Sequence, residues 1–364
     1  NTQSWGTKVI TVNTPGSTLV TTTFIITGAY IINLKPTDGS VSTWVTLEGV
    51  GFDSTGSITV EFGTNKTITA VNANLDGTFS VTFRIDTQCW GTKGITVHSD
   101  NQPNIFKYKG QTPVFFIITG AYFIQVKPTE GSVTTEITVQ GVGFNASQTV
   151  TIDFGTHQTI ATTTTSPSGT FSTIFNVSTQ PHGTTYISAS TENQKYRMFG
   201  TNNQSTTFLI TGAYITLITP TCGSVTTLVT VEGIGFDDNE TVRIDFGTHQ
   251  TITTVISAPS GTFSATFIVD TQPAGSKQIT VSTSGEQEIF WNYDQQRTEF
   301  RIEGAYIYLR EPSNGSVSTL VTLEGVGFDG SKTVYIHFGT SYTITTTTVK
   351  DTGTFSVTFI VDTQ

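Results

Sequence analysis

Apolar and polar positions alternate with period two through most of the chain, in short runs divided by turn-forming residues. In "TVRIDF", Val242, Ile244 and Phe246 fall on one face and Thr241, Arg243 and Asp245 on the other, the pattern of a strand with one buried side. No helical spacing is sustained over a comparable length. Around residues 207–283 the alternation predicts strands at Thr207–Thr211, Ala213–Thr219, Leu228–Gly235, Thr241–Phe246, Thr251–Ser257, Thr262–Asp270 and Gln278–Thr283. Thr on the outer faces favours extended backbone because it is β-branched. Between the runs, "PTCGS", "DDNE", "FGTHQ" and "APSG" carry turn chemistry, with Gly available for positive φ.

The pattern repeats. "GAY" recurs at Gly28, Gly120, Gly212 and Gly304, "GSV" at Gly39, Gly131, Gly223 and Gly315, and "GTF" at Gly77, Gly169, Gly261 and Gly353. "FG" follows the same course at Phe62, Phe154, Phe246 and Phe338, and every series advances by 92 residues per step. Constant spacing of this kind means four copies of one folded unit. About seven strands in about 90 residues is the size of an immunoglobulin-like sandwich. The expected fold class is therefore all-β: four tandem immunoglobulin-like β-sandwich domains, at 23–114, 115–206, 207–298 and 299–364, behind a front segment 1–22.

"PTDGSVSTWVTLEGVGF", "PTEGSVTTEITVQGVGF", "PTCGSVTTLVTVEGIGF" and "PSNGSVSTLVTLEGVGF" each precede an apolar strand ending in Phe-Gly. They resemble the opening half of IPT/TIG-type immunoglobulin-like repeats. "GTFSATFIVDTQPAGSKQITV" is similar to the close of such repeats in prokaryotic, notably archaeal, surface proteins. The resemblance spans nearly the whole chain and implies spacers, stalk segments or interaction modules; it specifies a fold and no activity.

The closing strand is unevenly placed. Copies one to three close with "GTKGITVHS" (Gly91–Ser99), "GTTYISAS" (Gly183–Ser190) and "GSKQITVST" (Gly275–Thr283). No such segment follows the fourth, but "GTKVITVN" stands at Gly6–Asn13, with Ile10 and Val12 matching Ile95 and Val97. A sandwich without its last strand exposes an apolar groove and unpaired backbone groups. The expectation is a donor strand, Gly6, Val9, Ile10, Thr11 and Val12, entering the fourth copy of a second molecule against Val321, Leu323, Val334, Ile336, Phe355, Val357, Phe359 and Val361. Donor and groove lie on different parts of the chain, so such a contact propagates head to tail. It resembles donor-strand assembly of pili and threads. The first connection is also shorter: Gly6 to Gly28 is 22 residues, against 29 from Gly91 to Gly120. The alternative stays open that the chain is a window on a longer array, a spacer or stalk of a larger adhesin or S-layer-type protein binding glycans or other surfaces.

Composition narrows the partners. Charged residues are only 12% of the chain, and 17 basic against 27 acidic side chains leave −10 with no basic cluster, so nucleic acid is not an expected partner. "VFFIITGAYFIQV" is too short and too interrupted to span a bilayer. Asn at position 1 and a single Met, Met198, suit a secreted chain trimmed of a leader, and a shortened sequence would look the same. Sequons at Asn65, Asn145, Asn176, Asn203, Asn239 and Asn314 suit a glycosylated extracellular surface. Aromatic residues between copies, Phe106, Tyr108, Tyr196, Phe199, Phe290, Trp291 and Tyr293, are candidates for sugar stacking or lateral contact, and equally for packing on their own sandwiches.

No catalytic constellation is expected. His157 and His249 share the "FGTHQ" turn, where the other copies carry Asn65 and Ser341; His98, His182 and His337 are scattered. Asp237, Asp238, Asn239 and Glu240 form the densest acidic stretch but lack the length and glycine of a calcium loop. Cys89 and Cys222 sit at non-equivalent places, which excludes a disulfide repeated in every domain. The chain is expected to be neither an enzyme nor a carrier of metal or cofactor, and its expected partner is itself.

Overall fold

In a computed structural model the described residues are all but 1, 101, 103–113, 193, 195–198, 201–203, 285–288, 290–296 and 364. The described residues form strands and turns, with no helix. The chain gathers into two compact units, one of residues 1–129, 136–175 and 186–207 and one of 130–135, 176–185 and 208–364.

Two strands stand at the front, β1 (Gly6–Val12) and β2 (Val20–Ile26), paired antiparallel from Gly6↔Ile26 to Val12↔Val20. The first sandwich follows with β3 (Tyr30–Lys35), β4 (Asp38–Ser40), β5 (Trp44–Val50), β6 (Ser57–Phe62), β7 (Asn65–Asn72), β8 (Phe79–Arg84), β9 (Gly91–Ser99) and β10 (Val114–Gly120). Its three-stranded sheet runs β3-β5-β8 and its five-stranded sheet β4-β10-β9-β6-β7. Alternation decides the packing: Ile58, Val60 and Phe62 on β6 and Ile95 and Val97 on β9 all point between the sheets and are buried.

One glycine shows how tightly the sheets close. Gly49 lies beside Phe52 and Phe79, whose rings meet edge to face at 4.9 Å. A Cβ there would sit 2.4 Å from the Phe79 ring. Gly141, Gly233 and Gly325 make the same room beside Phe171, Phe263 and Phe355, which accounts for the recurrent "GVGF" or "GIGF".

The third sandwich repeats the arrangement. Tyr214–Thr219, Leu228–Ile234 and Thr262–Ile268 form the smaller sheet; Cys222–Gly223, Glu299–Ile302, Gly275–Ser282, Thr241–Phe246 and His249–Ile256 form the larger, in that order. In the second, the larger sheet runs Glu130–Gly131, Thr207–Ile210, Gly183–Ser190, Thr149–Phe154, His157–Thr164.

The pairing draws the units differently from the repeat count. Val114–Gly120, Thr207–Ile210 and Glu299–Ile302, expected to open domains at 115, 207 and 299, lie in the larger sheet of the sandwich before them. Val114–Gly120 and Glu299–Ile302 pair antiparallel with that sandwich's closing strand, Thr207–Ile210 lies beside Gly183–Ser190, and all three pair parallel with the short early strand. The unit therefore closes with two strands, and the front segment carries two: Val20–Ile26 belongs with Gly6–Val12, so it extends past residue 22.

Among the described residues the fourth sandwich has the smaller sheet, Tyr306–Glu311, Leu320–Val326 and Phe355–Ile360, and two strands of the larger, Thr333–Phe338 and Ser341–Thr348. Its core cluster contracts to Val321, Leu323, Ile336, Phe355 and Phe359.

Candidate assembly interface

The front hairpin has the pairing of a closing pair. Gly6↔Ile26 corresponds to Gly91↔Ile118 and to Gly275↔Ile302. Three of its inward residues match theirs in type but are uncovered. Ile10 is 45% exposed, Val12 60% and Phe24 59%, whereas their counterparts Ile279, Val281 and Phe300 are fully buried. Three apolar side chains on one face of a paired two-stranded ribbon leave apolar surface in water.

Of the expected donor residues, Ile10 and Val12 share that face, while Val9 and Thr11 lie on the opposite one, and Gly6 keeps a positive φ of 98°. The Val9 position is taken by Gly94 in the first unit, so it is not an anchor. Phe24 and Ile26, on the second strand, were not among the expected donor residues. Their signal was available in the recurrent "F-x-I-x-G" before each "AY", but its place in the preceding unit depends on pairing.

The expected groove residues lie in the fourth sandwich. Val321, Leu323, Phe355 and Phe359 belong to the smaller sheet and are buried; Val357 and Val361 pack against them half-buried. Ile336 is buried and Val334 half-buried on the larger sheet, where Val150, Ile152, Val242 and Ile244 are fully covered. Residues outside the expected groove are more strongly uncovered. Ile307 is 48% exposed and Val317 52%, while Ile215 and Val225 at the same places are buried. Phe328 and Phe338 are likewise half-buried where Phe236 and Phe246 are buried.

Residues just before each closing pair tie it to the following sandwich. The Trp5 N–H donates to Phe52 O at 3.1 Å, Trp90 N–H to Phe144 O at 3.0 Å and Ala274 N–H to Phe328 O at 3.3 Å. Gly77, at φ 78°, faces Ser4; Gly169 and Gly353 face Cys89 and Pro273 in the same way. Thr2 Oγ1 donates to Asp76 at 2.9 Å, and this bond, after the one from the Thr78 hydroxyl, holds the Asp76 carboxyl below its usual range. The hairpin is thus seated on the first sandwich as Gly91–Ser99 is seated beside the second. A buried glutamine caps each complete unit: Gln272 Nε2 donates to Phe246 O at 2.9 Å and its Oε1 accepts from Thr248 N at 3.2 Å. Gln88 does likewise, yet Gln3, at the corresponding place, is exposed. Gln364 lies outside the described residues.

Candidate chemistry resolves into structural ties. His249 Nδ1 lies 2.7 Å from Asp270 Oδ2, an acid–base pair by distance. The same position is held by Asn65, bonded to Asp86 at 3.1 Å, and by Ser341, bonded to Asp362 at 3.2 Å. An imidazole, an amide and a hydroxyl serve equally, so the contact pins a loop. Among the described residues no three His, Cys, Asp or Glu gather to hold a metal. Cys89 and Cys222 are free thiols. Of the sequons, Asn176, Asn239 and Asn314 are exposed, Asn65 and Asn145 half-buried, and Asn203 lies outside the described residues. Phe106, Tyr108, Tyr196, Phe290, Trp291 and Tyr293 also lie outside them, and only the backbone of Phe199 is described.

No family model matches the chain, and no curated protein does. Among solved structures, a tetra-tandem repeat from the extending region of a large adhesion protein is similar at 13% identity and TM-score 0.23, over 92% of this chain and 91% of that one. Invasin, a bacterial integrin-binding protein, is similar at 12% identity and TM-score 0.25, covering 92% of this chain and 74% of that one. The Yersinia pseudotuberculosis adhesin InvE follows at 13% identity and TM-score 0.26, over 66% and 73%. Superpositions this low leave the fold to be read from the strand pairing itself.

Proposed function

We propose that the chain is the structural subunit of an extracellular filament, a pilus-like thread or sheath, that polymerises head to tail by donating its front strand to the fourth sandwich of the next copy. The observation that carries this is one of equivalence. The front of the chain bears a closing strand with its anchors Ile10 and Val12 uncovered, and the fourth sandwich leaves uncovered the residues that such anchors cover in the other three. Main-chain ladder bonds and the two anchors supply the attraction. Its partner is another copy of itself; no substrate, metal or cofactor enters. Sugars on exposed sequons such as Asn176 and Asn239 fit an extracellular surface.

A second reading is a spacer segment of a larger cell-surface adhesin or S-layer-type protein that binds glycans or other surfaces. The joint repeated at Trp5, Trp90 and Ala274 favours it, being suited to an array of any length. Electron microscopy of the purified chain beside a version lacking residues 1–13 separates the two. Threads from the first and none from the second support strand donation; monomers from both support the spacer.

A further inference from the structure

Resting on strand donation, we infer that the donated element is not one strand but the whole hairpin Gly6–Ile26 with Tyr30 behind it, and that it completes the neighbour's larger sheet in one defined register. Each complete unit closes with two strands, and among the described residues neither is paired in the fourth sandwich. In the third sandwich Ile244↔Val281 and Phe246↔Ile279 pair antiparallel, and in the first Val60↔Val97 and Phe62↔Ile95. By the repeat these become Ile336↔Val12 and Phe338↔Ile10, with His337 opposite Thr11. The last strand pairs parallel with the short early one: Asp38↔Ile117, Glu130↔Leu209 and Cys222↔Arg301. The donated counterpart is Asn314↔Ile25, with Gly315 opposite Ile26.

This register places each uncovered group. Phe24 takes the position at which Phe116, Phe208 and Phe300 are fully buried. Ile307, Val317 and Phe338 receive the hairpin's inner face. Tyr30 completes the joint. The Tyr122 hydroxyl donates to Val41 O at 3.2 Å and that of Tyr214 to Val133 O at 3.1 Å, both from the residue just after a closing pair to the sandwich before. One repeat earlier, Tyr30 is 47% exposed, against 8% for Tyr214. Its carbonyl partner is Val317 O of the accepting copy. A lone strand would fill only the middle of the gap and leave Ile307, Val317 and Tyr30 wet. A hairpin already folded by its own ladder also loses less conformational freedom on docking than a free segment.

The test is cross-linking of full-length chains in a Cys89→Ser, Cys222→Ser background. The pair Thr11→Cys with His337→Cys reports the first strand, and Ile25→Cys with Asn314→Cys the second. Both pairs giving ladders of linked copies, by oxidation or a short bis-maleimide, is the expected result. A ladder from the first pair alone overturns the hairpin while leaving strand donation intact, and ladders from neither overturn both. Linked monomers mean closure within one chain and sink the head-to-tail form. A second construction guards against variants that misfold: appending a copy of Ser4–Gly28 after Gln364 should complete the fourth sandwich internally and raise the concentration needed for assembly at least tenfold. Appending only Ser4–Asn13 should block less well; equal blocking by both refutes the role of the second strand.

Discussion

Phe24 and Phe116 occupy the same place in the repeat but opposite situations, so the same truncation in each should strike different properties. Phe116 is fully buried and packs its ring 6.0 Å from that of Phe62; Phe116→Ala should lower folding stability by about 3–5 kcal/mol through lost transfer energy and a cavity. Phe24 is 59% exposed in the free chain, so Phe24→Ala should leave folding within about 0.5 kcal/mol. Docking changes this. Covering that fraction of a side chain of about 200 Å² gains about 3 kcal/mol at about 25 cal/mol per Å². Because Ala keeps part of the gain while leaving a void, the loss on assembly should be about 2–3 kcal/mol, or roughly 30- to 150-fold in the association constant. Thermal denaturation of dilute monomer and the critical concentration for pelleting measure the two quantities separately. If Phe24→Ala lowers the melting midpoint as Phe116→Ala does, or leaves the critical concentration within about twofold, the docking reasoning fails.

Gln272→Ala should destabilise the third sandwich by about 2 kcal/mol, since it strips partners from Phe246 O and Thr248 N; Gln3→Ala, at an exposed position, should leave the melting midpoint unchanged. Gly169→Ala should cost about 2 kcal/mol or more, because a Cβ at φ 73° would lie 2.2 Å from Phe144 O; chemical denaturation would expose the error if the variant matched the parent. The Asp76 carboxyl, with its folded pKa depressed first by the Thr78 hydroxyl and then by Thr2, keeps these bonds at neutral pH and loses them as pH falls through that lowered value. Thr2→Ala should shift the Asp76 titration upward, read from its carboxyl ¹³C signal, and an unmoved titration would deny the Thr2 bond. Amide exchange in the free chain should be faster in Thr333–Phe338 than in Thr241–Phe246, whose neighbours on both sides are paired; equal protection would mean that the fourth sandwich needs no partner strand.

What was legible in sequence was local and periodic. Alternation in "TVRIDF" gives the strand Thr241–Phe246 at its observed bounds, and Leu228–Gly235 ends one residue later than the observed Ile234. The 92-residue repeat and the likeness of Gly6–Asn13 to the closing segments follow from spacing alone. What spacing does not carry is pairing. "VFFIITG" reads as a strand wherever it lies, and its position just before the next "AYF" suggests that it opens the next unit. Its hydrogen bonds run instead to Gly91–Ile95 and Asp38–Ser40. The same holds at the front of the chain, where the first domain is expected to start at residue 23 and Val20–Ile26 is half of a hairpin. Nor could periodicity reveal that His249, Asn65 and Ser341 each hold the aspartate at one repeat position, Asp270, Asp86 and Asp362, across a loop. Alternation is a property of one strand, set by the pleat and by which face meets water. The choice of neighbour belongs to backbone groups and side chains far apart in the chain, and only the closed sheet shows which edges are covered and which are left bare.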